Sequence, residues 1–137
     1  MFIAITSLAG LILGAVLQFI FTKYLQSKKH QRNMRATAYA DYLLCVSEHA
    51  NLGLQENSVD GRLLAAKTAD AKCRISLYGA SDVISSFAKF ERLGATMKTP
   101  EQCRSFTEMV VAMRKDTLGG NEKVSAKDIE TVVLGVG

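Results

Sequence analysis

The chain has 137 residues, with 17 basic and 13 acidic side chains and a formal net charge of +4 near neutral pH. Its length allows at most one domain and an appendage. Its three cysteines, Cys45, Cys73 and Cys103, are widely separated and form no Cys-x-x-Cys pair. They also show no metal-type spacing with His30 or His49. We therefore expect no metal site and no cofactor, and we interpret the cysteines as reduced, small apolar core residues.

Residues 1–22 contain no acidic or basic side chain and no histidine. As a helix rising ~1.5 Å per residue, this segment spans roughly 33 Å, enough to cross a hydrocarbon core of about 30 Å. The rest of the chain is too short to surround it as the buried helix of a soluble domain. A secretory signal peptide normally carries positive charges before its apolar region, whereas here they follow it. We therefore predict a retained transmembrane helix at residues 1–22.

A basic juxtamembrane segment follows at residues 23–36. Its positive side chains precede the first acidic residue of the chain, Asp41, and are Lys23, Lys28, Lys29, Arg32 and Arg35. Positive residues beside a span stay in the cytoplasm, which predicts a membrane protein with its N-terminus outside and its C-terminus cytoplasmic. Each positive charge near anionic lipid contributes on the order of 1 kcal/mol. Because acidic and basic residues nearly balance beyond Arg35, we expect lipid bilayer and anionic lipids as partners, and not nucleic acid.

The remaining residues, 37–137, have helical periodicity. No proline precedes Pro100 and no glycine lies between Gly14 and Gly53, so the first helix can continue from the membrane into the cytosol. Further helices are predicted at 59–78, 82–97, 100–117 and from Ser125 to near Leu134. The predicted fold class is all-α: an N-terminal transmembrane helix that continues into a small cytosolic antiparallel helical bundle.

Apolar residues at helical spacing mark the expected buried faces. The first helix offers Tyr39, Leu43, Val46 and Ala50, widened by Ala38, Tyr42, Cys45, His49 and Leu52. The second helix has two apolar sides, with Leu63, Ala66, Cys73 and Leu77 on one and Leu64, Ala71, Ile75 and Tyr78 on the other. The third and fourth helices offer Val83, Ile84, Phe87, Phe90 and Leu93, then Phe106, Met109, Val110 and Met113.

Capping residues set the expected helix ends. Gly79 is expected to adopt a left-handed cap, and Ser81 to cap the third helix. Thr99, with Pro100 at the first helical position and Gln102 at the third, predicts a capping box. Ser125 with Asp128 three residues later marks the start of the last helix.

Small and polar residues recur every fourth position in the predicted span: Thr6, Gly10, Gly14, Gln18 and Thr22. They form a slowly winding line on one side of a helix. Gly10 and Gly14 form a Gly-x-x-x-Gly pair that allows close helix approach. An amide facing lipid is costly, so Gln18 is expected to meet a neighbouring helix or water. The alternative is that Gln18 reaches the headgroup region, because it lies only ~7.5 Å along the helix from Lys23.

Catalytic motifs are scarce in this sequence. It contains no phosphate-binding glycine loop. Cys45 and His49 are four residues apart and could bring a thiol and an imidazole together, but a catalytic dyad also needs an orienting third group and a pocket. We predict that the chain is not an enzyme and that these two residues pack in the helical domain.

Three segments carry a resemblance to known proteins: "FTKYLQSKKHQRNMRATAYADYL", "AKCRISLYGASDVISSF" and "MRKDTLGGNEKVSAKDIETVVLG". They resemble small bacterial single-pass membrane proteins with an N-terminal anchor, a basic first cytoplasmic turn and a compact helical domain. The chain is more distantly similar to the membrane accessory proteins of type VI-B CRISPR systems, which have one span, a cytosolic helical domain and a ring-like pore assembly. That similarity implies a pore-forming or membrane-perturbing accessory in antiviral defence. The Arg-x4-6-His signature described for those proteins is absent here.

Together these features favour a single-pass inner-membrane protein that self-associates, with a cytosolic helical domain for assembly or sensing. The alternative is a monomeric or dimeric membrane tether that recruits a cytosolic partner protein. A membrane-bound enzyme would require a site assembled between subunits.

Overall fold

The structure is a computed structural model that describes residues 2–53, 55, 57–119 and 123–135, with the backbone alone for residues 2–8, 51 and 52. This part of the chain is helical and contains no strand. Its helices are α1 (Phe2–Leu52), α2 (Val59–Tyr78), α3 (Ser81–Arg92), α4 (Pro100–Leu118) and α5 (Ala126–Leu134). The all-α prediction is therefore confirmed.

The chain divides into two compact units, Met1–Asn33 and Met34–Gly137. The first unit consists of the N-terminal part of α1. The second contains the rest of α1 and the other four helices. α1 is unbroken because no proline interrupts it and its two glycines, Gly10 and Gly14, are tolerated within a long apolar run.

The second unit has one hydrophobic core to which α1, α2, α3 and α4 contribute. Its buried members are Ala38, Tyr39, Tyr42, Ala71, Ile75, Val83, Phe90, Phe106, Met109 and Met113. The rings of Phe90 and Phe106 approach to 5.3 Å between centroids, and those of Tyr42 and Phe87 to 4.7 Å in an edge-on arrangement. Such aromatic pairs contribute about 0.5–1.5 kcal/mol beyond the area that they bury.

Only one of the two apolar sides of α2 enters this core. Leu64, Ala71 and Ile75 are buried, whereas Leu63 and Leu77 remain 56% and 72% exposed. Ala66 and Cys73 on the same side as Leu63 are also exposed. The expectation that all three cysteines are core residues is therefore wrong for Cys73, although Cys45 is buried.

The local capping signals were predicted well at α4 and α5. The Thr99 side chain accepts a hydrogen bond from the Gln102 backbone N–H, and the Gln102 side chain accepts one from the Thr99 N–H, which completes the capping box. Ser125 caps α5 by accepting from the Lys127 N–H. Ser58 caps α2 in the same way, through the Gly61 N–H, and this cap was not predicted.

The connection between α2 and α3 differs from the prediction. Gly79 has an extended backbone, with φ −63° and ψ 150°, and not a left-handed one. Glycine is favoured at position 79 for another reason, because a Cβ on this residue would lie 2.5 Å from the Ile75 carbonyl oxygen. Ser81 is the first residue of α3. The N-cap residue is Ala80, whose methyl side chain cannot accept a capping hydrogen bond.

α3 ends at Arg92, five residues before the predicted end. Gly94 and Ala95 both adopt positive φ angles, 102° and 53°, which a right-handed helix cannot accommodate. The Gln102 side chain donates to the Leu93 carbonyl at 2.6 Å and so satisfies one of the carbonyl groups at this helix end. The start of α4 thus helps to terminate α3.

Candidate functional site

The apolar part of α1 has the length and composition to cross a membrane, and none of its most apolar stretch is buried within the chain. Eight large apolar side chains between positions 11 and 21 are each more than half exposed: Leu11, Ile12, Leu13, Val16, Leu17, Phe19, Ile20 and Phe21. Soluble domains rarely expose so much contiguous apolar surface. This helix is the first candidate for a functional surface.

The small and polar line of the predicted span lies along this exposed helix. A Cβ built on Gly10 or Gly14 meets no atom within 4 Å, and Gln18 and Thr22 are exposed. The Thr6 side chain lies outside the described residues. Residues four apart wind around an α-helix by roughly 40° per step, so Gly10, Gly14 and Gln18 share one side while Thr22 lies farther round. The free glycine surface leaves room for another helix to approach closely.

Basic and aromatic residues alternate where the apolar stretch ends. The Lys23 Nζ lies 5.1 Å from the centroid of the Phe19 ring, and the Lys28 Nζ lies 4.7 Å from that of Tyr24. Lys29 and Arg32 are exposed as well. Aromatic and cationic side chains side by side are typical of a membrane–water interface.

Arg35, the last of the predicted membrane-surface residues, has partners inside the second unit. Its Nε donates to the Tyr78 carbonyl at 2.7 Å, and its Nη1 donates to Asp116 Oδ1 at 3.3 Å. The Asp116 side chain is only 15% exposed. Arg35 therefore joins α1 to the end of α2 and to α4.

Tyr39, one turn after Arg35, completes a polar cluster with Arg35 and Asp116. Its hydroxyl donates to Asp116 Oδ2 at 2.8 Å and accepts from the Ala80 N–H at 3.1 Å. That N–H lies at the N-terminus of α3, where Ala80 is the N-cap residue and has no capping side chain. Burial raises the pKa of Tyr39 to about 12, so the phenol stays protonated and keeps its donor near neutral pH. We call this group the Arg35–Tyr39–Asp116 cluster.

A second ionic group joins α1 to α2 at the surface. The Arg74 Nη2 lies 2.7 Å from Asp41 Oδ2, and the Arg74 Nε lies 3.0 Å from Asp70 Oδ2. The hydrogen bond with Asp41 is the main reason why the pKa of Arg74 is raised. A cavity of about 280 Å³ beside it is lined by Leu44, Cys45, Glu48 and Lys67 together with these three residues.

The sequence pair Cys45 and His49 does not share this cavity. Cys45 is buried and lines it, whereas His49 is exposed and does not. Within the described ranges, no group of three or more His, Cys, Asp and Glu residues is arranged to hold a metal ion.

Searches of protein-family models, of curated proteins and of solved structures returned no match to this chain.

Proposed function

We propose that this chain is a single-pass protein of the bacterial inner membrane that self-associates, with the unit Met34–Gly137 serving as a cytoplasmic assembly or sensing domain. The observation that carries the proposal is the apolar part of α1, which no other described part of the chain covers. Transfer of one large apolar side chain out of water is favourable by about 1.5–3 kcal/mol of free energy. Over eight such residues the preference for a membrane is on the order of 10 kcal/mol.

The charge distribution supports the orientation. Lys23, Lys28, Lys29 and Arg32 follow the apolar stretch and are exposed. Positive residues beside a span remain in the cytoplasm, which puts the N-terminus outside. They are also free to contact anionic lipid headgroups on that side.

Gly10, Gly14 and Gln18 support self-association within the membrane. Their side of α1 is open to a second helix, and an amide in hydrocarbon is stabilised by a partner amide or by water. A set of such helices would perturb or perforate the bilayer. This role agrees with the resemblance to membrane accessory proteins of type VI-B CRISPR systems.

The orientation is tested with fusions to the C-terminus of the full chain. A fluorescent protein fused there should be bright, and alkaline phosphatase fused there should be inactive, because the latter folds only outside the cytoplasm. An inactive fluorescent fusion beside an active phosphatase would overturn the orientation. Loss of the chain from the membrane fraction would overturn the membrane assignment itself.

Self-association is tested by native electrophoresis and mass determination of the full chain extracted in mild detergent. A discrete multiple of the 14.9 kDa chain is the expected result. A defined complex with a different cytosolic protein would favour the membrane tether instead. A monomer at every detergent concentration would contradict self-association.

A further inference from the structure

α2 carries an exposed line of residues, apolar except for one acidic residue, that the rest of the described chain leaves uncovered. Its members recur at alternating intervals of four and three residues, as in a coiled coil: Val59, Leu63, Ala66, Asp70, Cys73 and Leu77. Val59, Leu63 and Leu77 are 66%, 56% and 72% exposed, and the other three are exposed as well. We call this set the exposed α2 stripe.

The exposed α2 stripe lies nearly opposite the face of α2 that enters the core. The buried face, represented by Leu64, Ala71 and Ile75, follows the same spacing and is displaced from the stripe by about 150° around the helix. α2 is thus apolar on two sides, and only one of them is covered within the chain. A surface helix of a globular protein normally has a single apolar side.

We propose that the exposed α2 stripe is an interface with a second copy of this chain, in which the two α2 helices pair antiparallel. This inference rests on the proposed self-association and names the surface that mediates it outside the membrane. Pairing Leu63 with Cys73 of the second copy also aligns Val59 with Leu77 and Ala66 with Asp70. Each of these residue pairs combines a larger side chain with a smaller one. Each pair occurs twice in the dimer because of the two-fold symmetry.

Charge complementarity favours this antiparallel arrangement over a parallel one. Asp60 lies beside Arg74 of the second copy, which by symmetry gives two opposite-charge pairs at the flanks of the seam. The two Lys67 side chains meet near the two-fold axis, and each is also within reach of Asp70 of the second copy. A parallel pair would instead place Asp70 against Asp70 and Arg62 against Lys67, and both contacts are repulsive. Arg74 already contacts Asp70 within its own chain, which lowers the cost of an acidic residue in the seam.

The same charges argue against a lipid surface as the occupant. Asp70 lies in the middle of the stripe, with its side chain 65% exposed, and a carboxylate there would be repelled by anionic headgroups. In the antiparallel pair, the Asp70 carboxylate lies near the Lys67 ammonium group of the second copy. The stripe therefore has the composition of a protein interface with a polar layer that fixes the register.

Disulfide trapping in native membranes tests the pairing with the full chain. The background variant is Cys103→Ser, which leaves Cys73 as the exposed cysteine and Cys45 buried. Adding Leu63→Cys should give a crosslinked dimer as the main oxidised species, because positions 63 and 73 of two copies face each other. The matched control is Ala65→Cys, an exposed position on the same helix outside the stripe, which should not crosslink. Cys73 alone should not crosslink either, because its two copies would lie ~15 Å apart along the helices.

Each other outcome has a separate meaning. Efficient crosslinking through Cys73 alone would overturn the antiparallel pairing. Equal crosslinking of the Leu63→Cys and Ala65→Cys variants would show random collision and overturn the interface. An oligomer on native electrophoresis without the 63–73 crosslink would overturn this inference and leave the proposed self-association intact, whereas a monomer would overturn both. A crosslink from position 63 to a different protein would identify another occupant.

Discussion

Tyr39 shows how one residue can define a junction that local sequence does not reveal. Its hydroxyl contacts Asp116, which is 77 positions away, and the N–H of Ala80, which is 41 positions away. The sequence placed Tyr39 in the core by its spacing, and that part is confirmed. The spacing of residues within a helix does not show which distant carboxylate will accept a hydrogen bond from a tyrosine hydroxyl. The Arg35–Tyr39–Asp116 cluster could therefore not be predicted from the sequence. For the same reason, charge alone predicts that Arg35 lies at the membrane surface, and its partners Tyr78 and Asp116 are visible only in the fold.

The first prediction concerns this hydroxyl. Tyr39→Phe removes a donor to Asp116 and an acceptor for the Ala80 N–H while it keeps the ring in the core. We expect the free energy of unfolding to fall by about 1–3 kcal/mol, because buried polar partners lose their hydrogen bonds. Thermal or denaturant unfolding followed by circular dichroism measures it. Tyr24→Phe, at an exposed tyrosine of α1, is the control, and equal stability of the two variants would contradict the role of the cluster.

The second prediction separates the two candidate capping residues. Thr99→Ala should lower the unfolding free energy by about 1 kcal/mol, because it removes the acceptor for the Gln102 N–H. Ser81→Ala should change it by less than about 0.5 kcal/mol, since Ser81 lies within α3 and is exposed. The same unfolding measurement serves both variants. A larger loss for Ser81→Ala would restore Ser81 as the cap.

The sequence predicts each of the five helices, and the physical reason is that helix signals are local. Capping boxes, proline at a first helical position and apolar spacing all act within a few residues. These local signals do not predict which apolar side of a helix is buried or where a helix ends when packing between helices determines both. The two apolar sides of α2 have equal patterns, so only the assembled core reveals that Ile75 is inside and Leu77 is outside. α3 stops early because Gly94 and Ala95 adopt positive φ angles beside the start of α4.

The third prediction uses two positions on α3 that the sequence placed on the same buried face. Phe90 is 1% exposed and contacts Phe106, whereas Ile84 is 39% exposed. Phe90→Ala should lower the unfolding free energy by about 3–5 kcal/mol through lost burial and a residual cavity. Ile84→Ala should lower it far less, because its side chain is only partly removed from water. Similar losses at both positions would contradict the arrangement of α3.

Two apolar surfaces of the helices remain exposed within the part of the chain that the structure describes. The apolar part of α1 and the exposed α2 stripe are both uncovered by the described residues, and both carry a polar group within an apolar line, Gln18 in one and Asp70 in the other. The sequence identified the first from composition alone, because a charge-free run is visible without a fold. The exposed α2 stripe can be identified only from the fold, because the structure shows which of the two apolar sides of α2 is buried in the core.

The last prediction concerns Gln18 and the glycines that precede it on α1. If Gly10, Gly14 and Gln18 form a helix–helix contact, single cysteines placed in turn from position 9 to 22 should crosslink most strongly at 10, 14 and 18, with a helical period. Gly14→Leu should disrupt assembly by steric clash, whereas Ala15→Leu adds the same bulk on another side of the helix and should leave it intact. Gln18→Leu should preserve membrane insertion yet weaken association, because an interhelical amide hydrogen bond contributes about 0.6–2 kcal/mol. Crosslinks that peak at Leu13, Leu17 and Ile20 would reject the contact. Unchanged association of Gln18→Leu would indicate that the amide reaches the headgroup region near Lys23 instead.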